Sequence, residues 1–117
     1  MTMIKSQALV DLIGAANRNN VVIANNIANA NTPGYRTLRV GFADALDRAL
    51  TETGELRSGR RLEARVYRAD LPAGQDGNNV RVEREIVEMN KTSLRIKLYL
   101  NVLGSRIQRM RAAIEGR

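Results

Sequence analysis

The feature that most constrains the fold is a heptad-spaced apolar pattern that runs without a break from Val82 to Ile114. Its positions alternate steps of four and three residues, and a single polar residue, Ser93, interrupts the series. They are Val82, Ile86, Met89, Ser93, Ile96, Leu100, Leu103, Ile107, Met110 and Ile114. This spacing predicts one long helix whose apolar stripe requires another helix to cover it.

A second periodic segment near the N-terminus has the same spacing. Its positions are Leu9, Ile13, Ala16, Asn20, Ile23, Ile27 and Ala30. Pro33 ends this segment, because proline lacks a backbone donor and disfavours helical geometry at the preceding residue. Pro33 and Gly34 together suit the central positions of a type II turn. The segment is rich in asparagine, a poor helix former, so we expect this helix to need partners.

The middle of the chain carries weaker signals. Phe42, Leu46 and Leu50 predict a short amphipathic helix of about nine residues. Residues 51–79 are broken up by glycine and contain one alternating stretch, at 62–67, that favours a single strand or hairpin. The Asp-Gly-Asn-Asn sequence at 76–79 predicts a turn leading into the last helix, which Asn can cap.

These elements predict a mainly α fold with one discontinuous domain. Residues 1–34 hold the N-terminal helix, residues 35–79 form a connecting segment, and residues 80–117 hold the heptad helix. No run of apolar residues approaches the roughly 20 needed to span a membrane, and the N-terminus does not resemble a cleaved secretory signal. We therefore expect a chain that leaves the cytoplasm, if it does, without a cleaved signal peptide.

Composition limits the chemistry that this chain can carry out. The 117 residues include neither cysteine nor histidine, which excludes thiolate nucleophiles, disulfides, Cys/His zinc sites and imidazole bases. Acidic residues are scattered rather than clustered, so we expect no enzyme activity, no metal site and no cofactor. The net charge of +7 leaves open a nucleic-acid partner. However, aromatic residues for base stacking are scarce, and basic residues near a helix C-terminus also complement its dipole.

A second apolar series lies on the long helix, away from the first. Leu94, Leu98 and Val102 recur at intervals of four residues. A single partner helix covers one stripe rather than two, so this series favours packing against other subunits. The alternative is that the connecting segment folds back over it.

The asparagine-rich stretch before Pro33 also has two interpretations. It is adequately explained as a helix end with a proline stop. Alternatively, the side chains of Asn25, Asn26 and Asn29 form a polar ladder with neighbouring subunits, which would fix the register of packing.

The sequence from Ala24 to Tyr35, ANNIANANTPGY, resembles the signature of bacterial flagellar rod, hook and filament-axis proteins. Further similarity lies in Val40-Gly41-Phe42, in Asp76-Gly77-Asn78-Asn79-Val80, in Arg84-Glu85-Ile86, and in the C-terminal stretch from Leu103 to Ile114. The chain is most similar to a proximal rod protein of this family. It departs from the family pattern at Gly41 and Arg81, where acidic residues are expected, and the second departure leaves the start of the last helix open.

The resemblance implies that the two terminal helices pair as an antiparallel coiled coil and stack with other subunits into a hollow rod. It places Leu9, Ile13, Ile23 and Ile27 opposite Ile96, Leu100, Leu103 and Ile107. The implied assembly contacts are Leu9, Ile13, Ile23, Asn25, Asn26, Ile27, Asn29, Thr32, Pro33, Gly34, Tyr35, Phe42, Ile86, Met89, Leu94, Ile96, Leu98, Leu100, Val102, Leu103, Ile107, Met110 and Ile114.

The same resemblance implies partners and a location. The partners would be copies of the chain, other flagellar rod subunits, the inner-membrane ring protein, the rod-to-ring adaptor and, in transit, the flagellar type III export apparatus. The location would be the periplasmic rod of the basal body, with no nucleic acid and no membrane insertion. The alternatives are another rod protein of the same family and a basic helical module that binds nucleic acid.

Overall fold

A computed structural model describes residues 6–41 and 65–116 of the chain. The elements are α1 (Ser6–Ala28), β1 (Leu38–Gly41), β2 (Arg65–Arg68) and α2 (Val82–Glu115). The molecule is elongated, with principal extents of 64 × 27 × 19 Å. The short helix predicted at 42–50, including Phe42, and the first part of the strand predicted at 62–67 lie outside the described residues.

The two long helices pack side by side and run in opposite directions. Three contacts along their length show the direction: Ser6 meets Arg106, Asn19 meets Thr92, and Asn26 meets Glu85. The last two contacts are one heptad apart on both helices, so the same register holds along the pair. This confirms the predicted mainly α fold with paired terminal helices, and α2 covers nearly the whole predicted range.

The core lies along one face of α1. Leu9, Leu12 and Ile23 are its large apolar side chains, and the alanines at 8, 15 and 16 are also buried. Small residues at these positions let the helix backbones approach closely. Of the predicted seam, Leu9, Ala16 and Ile23 are buried, whereas Ile13 and Ile27 are half-buried. The buried face of α1 is therefore rotated towards Leu12, Asn19 and Asn26.

The predicted seam of α2 is wrong in part. Leu100 and Ile107 are about half exposed, so they do not form the core of the pair with α1. The buried residues of α2 are instead Glu85 and Thr92, and partial burial continues at Met89, Ile96, Tyr99, Leu103 and Arg106. One partner helix covers only a narrow stripe, which here lies to one side of the predicted series.

The difference in helix length explains the exposure at the C-terminal end. Helix α1 has 23 residues and α2 has 34. Because Arg106 lies opposite Ser6, at the start of α1, the last turns of α2 extend beyond the first residue of that helix. Ile107, Met110 and Ile114 are correspondingly exposed.

The two short strands form an antiparallel pair that packs beside α1. Leu38 pairs with Arg68, and Gly41 pairs with Arg65. Val40 is buried, and β1 contacts α1. Val66, one of the predicted strand residues, lies in β2, so the expectation of a strand or hairpin in this region is confirmed with shifted bounds.

Shortening a core side chain of α1 should lower the free energy of unfolding, whereas shortening a side chain on the opposite face of the same helix should not. We expect Ile23→Ala to lower the free energy of unfolding by about 2–5 kcal/mol, since it leaves a cavity at a fully buried position. The matched control is Val21→Ala, at a side chain that is 61% exposed, where the effect should stay within about 0.5 kcal/mol. Chemical denaturation followed by circular dichroism measures both; equal losses would contradict this description of the core.

Hydrogen exchange should differ along α2. Residues 85–99 pack against α1, so their amides should be protected, whereas residues 109–115 extend past that helix and should exchange fast because isolated turns fray. Amide exchange of the isolated chain, followed by NMR, measures the gradient. Uniform protection to Glu115 would show that the overhanging turns have another partner within the chain.

Candidate functional site: a polar junction and exposed apolar stripes

Helix α1 leads directly into a tight turn. The backbone N–H of Tyr35 donates to the carbonyl of Thr32 at 3.2 Å, and Gly34 has a positive φ of 76°. This geometry is the predicted type II turn, in which the third residue needs the conformational freedom of glycine. The turn reverses the chain so that β1 returns alongside the end of α1.

Asn26 joins the end of α1 to this returning segment. Its side chain is fully buried, and its oxygen accepts from the Leu38 backbone N–H at 3.0 Å and from the Tyr35 hydroxyl at 3.2 Å. Its nitrogen donates to the Leu38 carbonyl at 2.9 Å and to Glu85 Oε2 at 3.0 Å. The carboxamide thus pairs with Leu38 as a neighbouring strand would. Every donor and acceptor that a buried amide must satisfy has a partner.

Glu85 is a buried carboxylate at the same place. It is 1% exposed, and Oε2 also accepts from Arg39 Nη1 at 2.8 Å. Oε1 lies 2.7 Å from Nη2 of the same guanidinium, close enough for an ion pair although the geometry is not that of an aligned hydrogen bond. A buried carboxylate requires such a partner, because an unpaired charge away from water is strongly unfavourable.

The pKa shifts of two side chains follow from this arrangement. Burial alone would lower the pKa of Arg39, but the hydrogen bond to Glu85 and its negative charge outweigh burial and raise it. Burial raises the pKa of Tyr35, and the charge of Glu85 raises it further. Arg39 is therefore charged, and Tyr35 is a neutral hydrogen-bond donor, throughout the physiological range.

Asn78 closes the C-terminal end of α1 from the other side. Its nitrogen donates to the carbonyls of Asn29 and Thr32, both at 2.8 Å. These carbonyls lie just after α1, and each also accepts a backbone N–H, that of Thr32 and that of Tyr35 respectively. Gly34 donates to the Asp76 carbonyl at 2.8 Å, and a Cβ on Gly77 would lie 3.4 Å from the Gly34 Cα. The requirement for glycine at position 77 comes from its φ of 79°, which other residues rarely adopt.

Asn79 holds the segment that leads into β1. Its oxygen accepts from the Thr37 backbone N–H at 2.6 Å, and its nitrogen donates to the carbonyls of Ala69 and Leu71. The sequence predicts an asparagine of this stretch as the helix cap, but α2 begins at Val82, three residues after Asn79, and the cap position is Arg81, whose side chain makes no capping bond. Acidic residues in the first turn, Glu83 and Glu85, complement the helix dipole instead.

Together these side chains define the polar junction, which comprises Asn26, Arg39, Asn78, Asn79 and Glu85. Sequence patterns had marked the Asp-Gly-Asn-Asn stretch only as a turn, and nothing in the periodicity distinguished Arg39 or Glu85. The seven-residue spacing between Glu85 and Thr92 is visible in the sequence. It identifies them as buried residues only once the register of the two helices is known, because Glu85 does not belong to the apolar series.

The junction corrects one interpretation of the asparagine-rich stretch. Asn26 is buried with partners inside its own chain, so it does not contribute to a ladder between subunits. Asn29 donates to the Asn25 carbonyl at 2.8 Å and accepts from Thr32. Of the three predicted ladder residues, Asn25 remains exposed.

The other predicted assembly residues divide by exposure. Leu94 and Leu98 are 66% and 59% exposed, and Val102 beside them is half-buried. These three residues form the side stripe of α2. Exposure is also high at Ile86, Leu100, Ile107, Met110 and Ile114. Thr32, Pro33 and Gly34 are exposed in the turn, while Tyr35 is half-buried.

Helix α1 has an exposed apolar series that the sequence patterns did not single out. Val10 and Val21 are exposed, and Gly14, Ala24 and Ala28 are exposed on the same side of the helix. Their positions follow heptad spacing, as do those of the buried face. Exposed apolar residues at heptad spacing on both helices are typical of a protein that associates with others.

Residues 6–41 and 65–116 contain neither a candidate membrane span nor a candidate metal site. Within these ranges neither helix is both long enough and apolar enough to cross a membrane. The acidic side chains in the same ranges do not form a group of three that could hold a metal ion.

Comparison with known proteins gives one consistent family. Residues 14–36, which run from the middle of α1 through the turn, match the family described as flagella basal body rod protein. The chain is similar to the flagellar basal body rod protein FlgB of Salmonella typhimurium strain LT2, with 32% identity and 81% of each chain covered. The corresponding protein of Cereibacter sphaeroides strain ATCC 17029 is 35% identical, over 85% of this chain and 84% of the relative. That of Bacillus subtilis strain 168 is 24% identical, over 94% and 92%.

Neighbouring asparagines should have opposite effects on stability. Asn26→Ala removes a buried amide and leaves the Leu38 backbone without its partners, so we expect a loss of at least about 2 kcal/mol in the free energy of unfolding. Asn25→Ala is the matched control; its side chain is exposed, and alanine favours helix, so stability should be unchanged or slightly higher. Thermal unfolding of the isolated variants measures both, and a stable Asn26→Ala variant would show that the junction does not hold the fold together.

Proposed function

This chain belongs to the family of flagellar basal-body rod proteins represented by FlgB, and from that premise we propose how it assembles. It is a structural subunit of the rod. In the proposal, copies of the chain and other rod subunits stack helically, so that their paired terminal helices build the wall of the hollow proximal rod. The chemistry is helix packing, and the relatives are named as flagellar basal body rod proteins.

The observation that carries the proposal is apolar surface on both helices of a single subunit. The side stripe of α2 and the exposed series of α1 lie outside the core of the pair. Burying such stripes against neighbouring helices releases water and favours association roughly in proportion to the apolar area covered. Because the two stripes differ, each copy would present one surface to one neighbour and the other surface to the next. Such head-to-tail contacts extend into an open helical array when the rotation between copies does not close into a ring.

The polar junction supports this assembly by shaping the subunit. It holds the end of α1, the turn and the start of α2 in one arrangement, so the two stripes keep a fixed relation to each other. Stacking of many copies requires that relation to be the same in each. We therefore assign the polar side chains of the turn region to folding of the subunit, and the contacts between subunits to the exposed stripes and to Asn25.

The proposal extends to location and partners. The rod relatives place the chain in the flagellar basal body. The specific partners in this proposal are the inner-membrane ring protein, the rod-to-ring adaptor and other rod subunits. The chain is exported through the flagellar type III apparatus without a cleaved signal. A chain without cysteine suits such a route, since no disulfide has to form before or after passage.

The relatives do not favour the two alternative functions. The matches cover most of this chain and consistently carry the FlgB name, which favours that rod protein over a different member of the family. A nucleic-acid-binding module is supported only by net charge, and a basic surface alone carries no sequence-reading chemistry.

Charge placed on the side stripe should block assembly and leave the subunit folded. We expect the Leu94→Asp, Leu98→Asp variant to keep its unfolding midpoint, because both side chains are mainly exposed in the single subunit. Buried between subunits, two carboxylates would be strongly unfavourable, so the variant should be lost from purified basal bodies. Immunoblotting of basal bodies from cells that rely on the variant measures incorporation.

The matched control introduces the same charge elsewhere in the subunit. Ala73→Asp, Gln75→Glu adds two carboxylates at exposed positions in the loop outside both helices and should remain incorporated. Normal incorporation of the side-stripe variant would refute the role of the stripe, whereas exclusion of both variants would show that added charge alone prevents assembly.

A further inference from the structure

Besides the packing of Val40 in β1 beside α1, polar side chains attach the β-hairpin to the helix pair at two places. Its first attachment is to α1, where the Asn26 side chain bonds both the N–H and the carbonyl of Leu38. Its second attachment is to α2, where Arg39, the next residue of β1, meets Glu85. One attachment fixes the base of the hairpin, and two attachments on different helices also fix its direction.

Beyond these attachments the hairpin and α2 are separated by open space. A cleft of about 590 Å³ lies between them. Val40, Gly41 and Tyr67 of the hairpin line one wall, and Arg84, Glu88 and Arg95 of α2 line the other. Tyr67 is half exposed. Close packing against α2 therefore does not fix the distance between that helix and the outer part of the hairpin.

We propose that the Arg39–Glu85 pair is a positioning device that sets the angle between the hairpin and the helix pair. That angle decides the direction in which the chain departs at Gly41 and re-enters at Arg65. The pair acts through orientation rather than through a contribution to stability. This role is separate from that of Asn26, which holds the base of the hairpin whether or not the pair is present.

The choice of an ion pair rather than an apolar contact supports this role. A buried ion pair loses in desolvation much of what it gains in attraction, and an apolar replacement of similar volume is often as stable. However, apolar contacts are not directional, whereas the planar guanidinium fork meets a carboxylate in few geometries. Asn26 also donates to Glu85, so the position of this carboxylate on α2 does not depend on Arg39 alone.

Under the proposed function, on which this consequence rests, the angle would be repeated in every subunit of the rod. The connecting segment of each copy would then leave the helix layer in the same direction. Variation in the angle would present that segment differently from copy to copy. The angle itself is a property of the single chain, so it can be tested without any assembly.

The test compares distance and stability in the isolated full-length chain. The sequence contains no cysteine, so spin labels can be placed at Arg65→Cys, at the outer end of the hairpin, and at Lys97→Cys, on the exposed side of α2. Pulsed electron paramagnetic resonance then reports the distribution of distances between them. In the otherwise unchanged chain we expect a single narrow distance.

In the Arg39→Met, Glu85→Gln variant, which removes the ion pair but keeps a side-chain oxygen to accept from Asn26, we expect that narrow distance to be lost and replaced by a broad distribution, with an unfolding midpoint close to that of the parent chain. Arg39→Lys keeps the charge and loses the fork, and should broaden the distribution less. The control is Lys91→Met, which removes an exposed ion pair with Glu88 on the same helix and should leave the distance unchanged.

A narrow, unshifted distance in the double variant would overturn the proposal, because the hairpin would then hold its angle without the pair. If the double variant fails to fold, the Arg39→Lys chain decides the question, and an unchanged distribution there would overturn it equally. None of these outcomes depends on rod assembly. The proposed function fails separately: if the unchanged chain is not incorporated into basal bodies, that function is wrong, whatever spin-label distance the isolated chain shows.

Discussion

A single buried amide, Asn26, connects the parts of this structure that sequence separates. It lies near the C-terminal end of α1. Its carboxamide pairs with the backbone of Leu38 in β1 as a neighbouring strand would, and it also donates to the carboxylate of Glu85 on α2. A buried carboxamide must satisfy all of its donors and acceptors, and here doing so requires that the turn, the hairpin and the second helix all be in place. The fold therefore depends on Asn26, since its removal leaves the backbone N–H and carbonyl of Leu38 without their side-chain partners.

The division between folding and assembly follows from burial. The signature stretch contains neighbouring asparagines with different roles: Asn26 is enclosed, while Asn25, one residue earlier, faces solvent. The same division appears on α2, where polar Glu85 and Thr92 are buried and apolar Leu94 and Leu98 are exposed. Such an inversion is unfavourable for an isolated soluble helix. The same inversion is expected in a subunit whose buried polar groups fix its own fold and whose exposed apolar groups pack against neighbouring subunits.

Much of the fold could be predicted from sequence because its main signal is local. Heptad spacing and Pro33 define both helices almost to their ends, and Gly34 defines the turn. The face of each helix that enters the pair could not be predicted in the same way, since several apolar series compete on α2 and α1 is too short to cover its last turns. The residues of the junction were missed for a different reason. Arg39 and Glu85 are separated by 46 positions, and a charged residue carries no periodic sign that it will be buried.

The central claim is that the exposed side stripe of α2 meets a neighbouring subunit in the rod. The most direct measurement places a photoreactive amino acid at Leu98 in cells that depend on this chain, irradiates purified basal bodies and identifies the crosslinked products by mass spectrometry. The account predicts covalent products that join this chain to a second rod subunit through the helices. Irradiated basal bodies that contain the chain but yield only products within a single copy would contradict it.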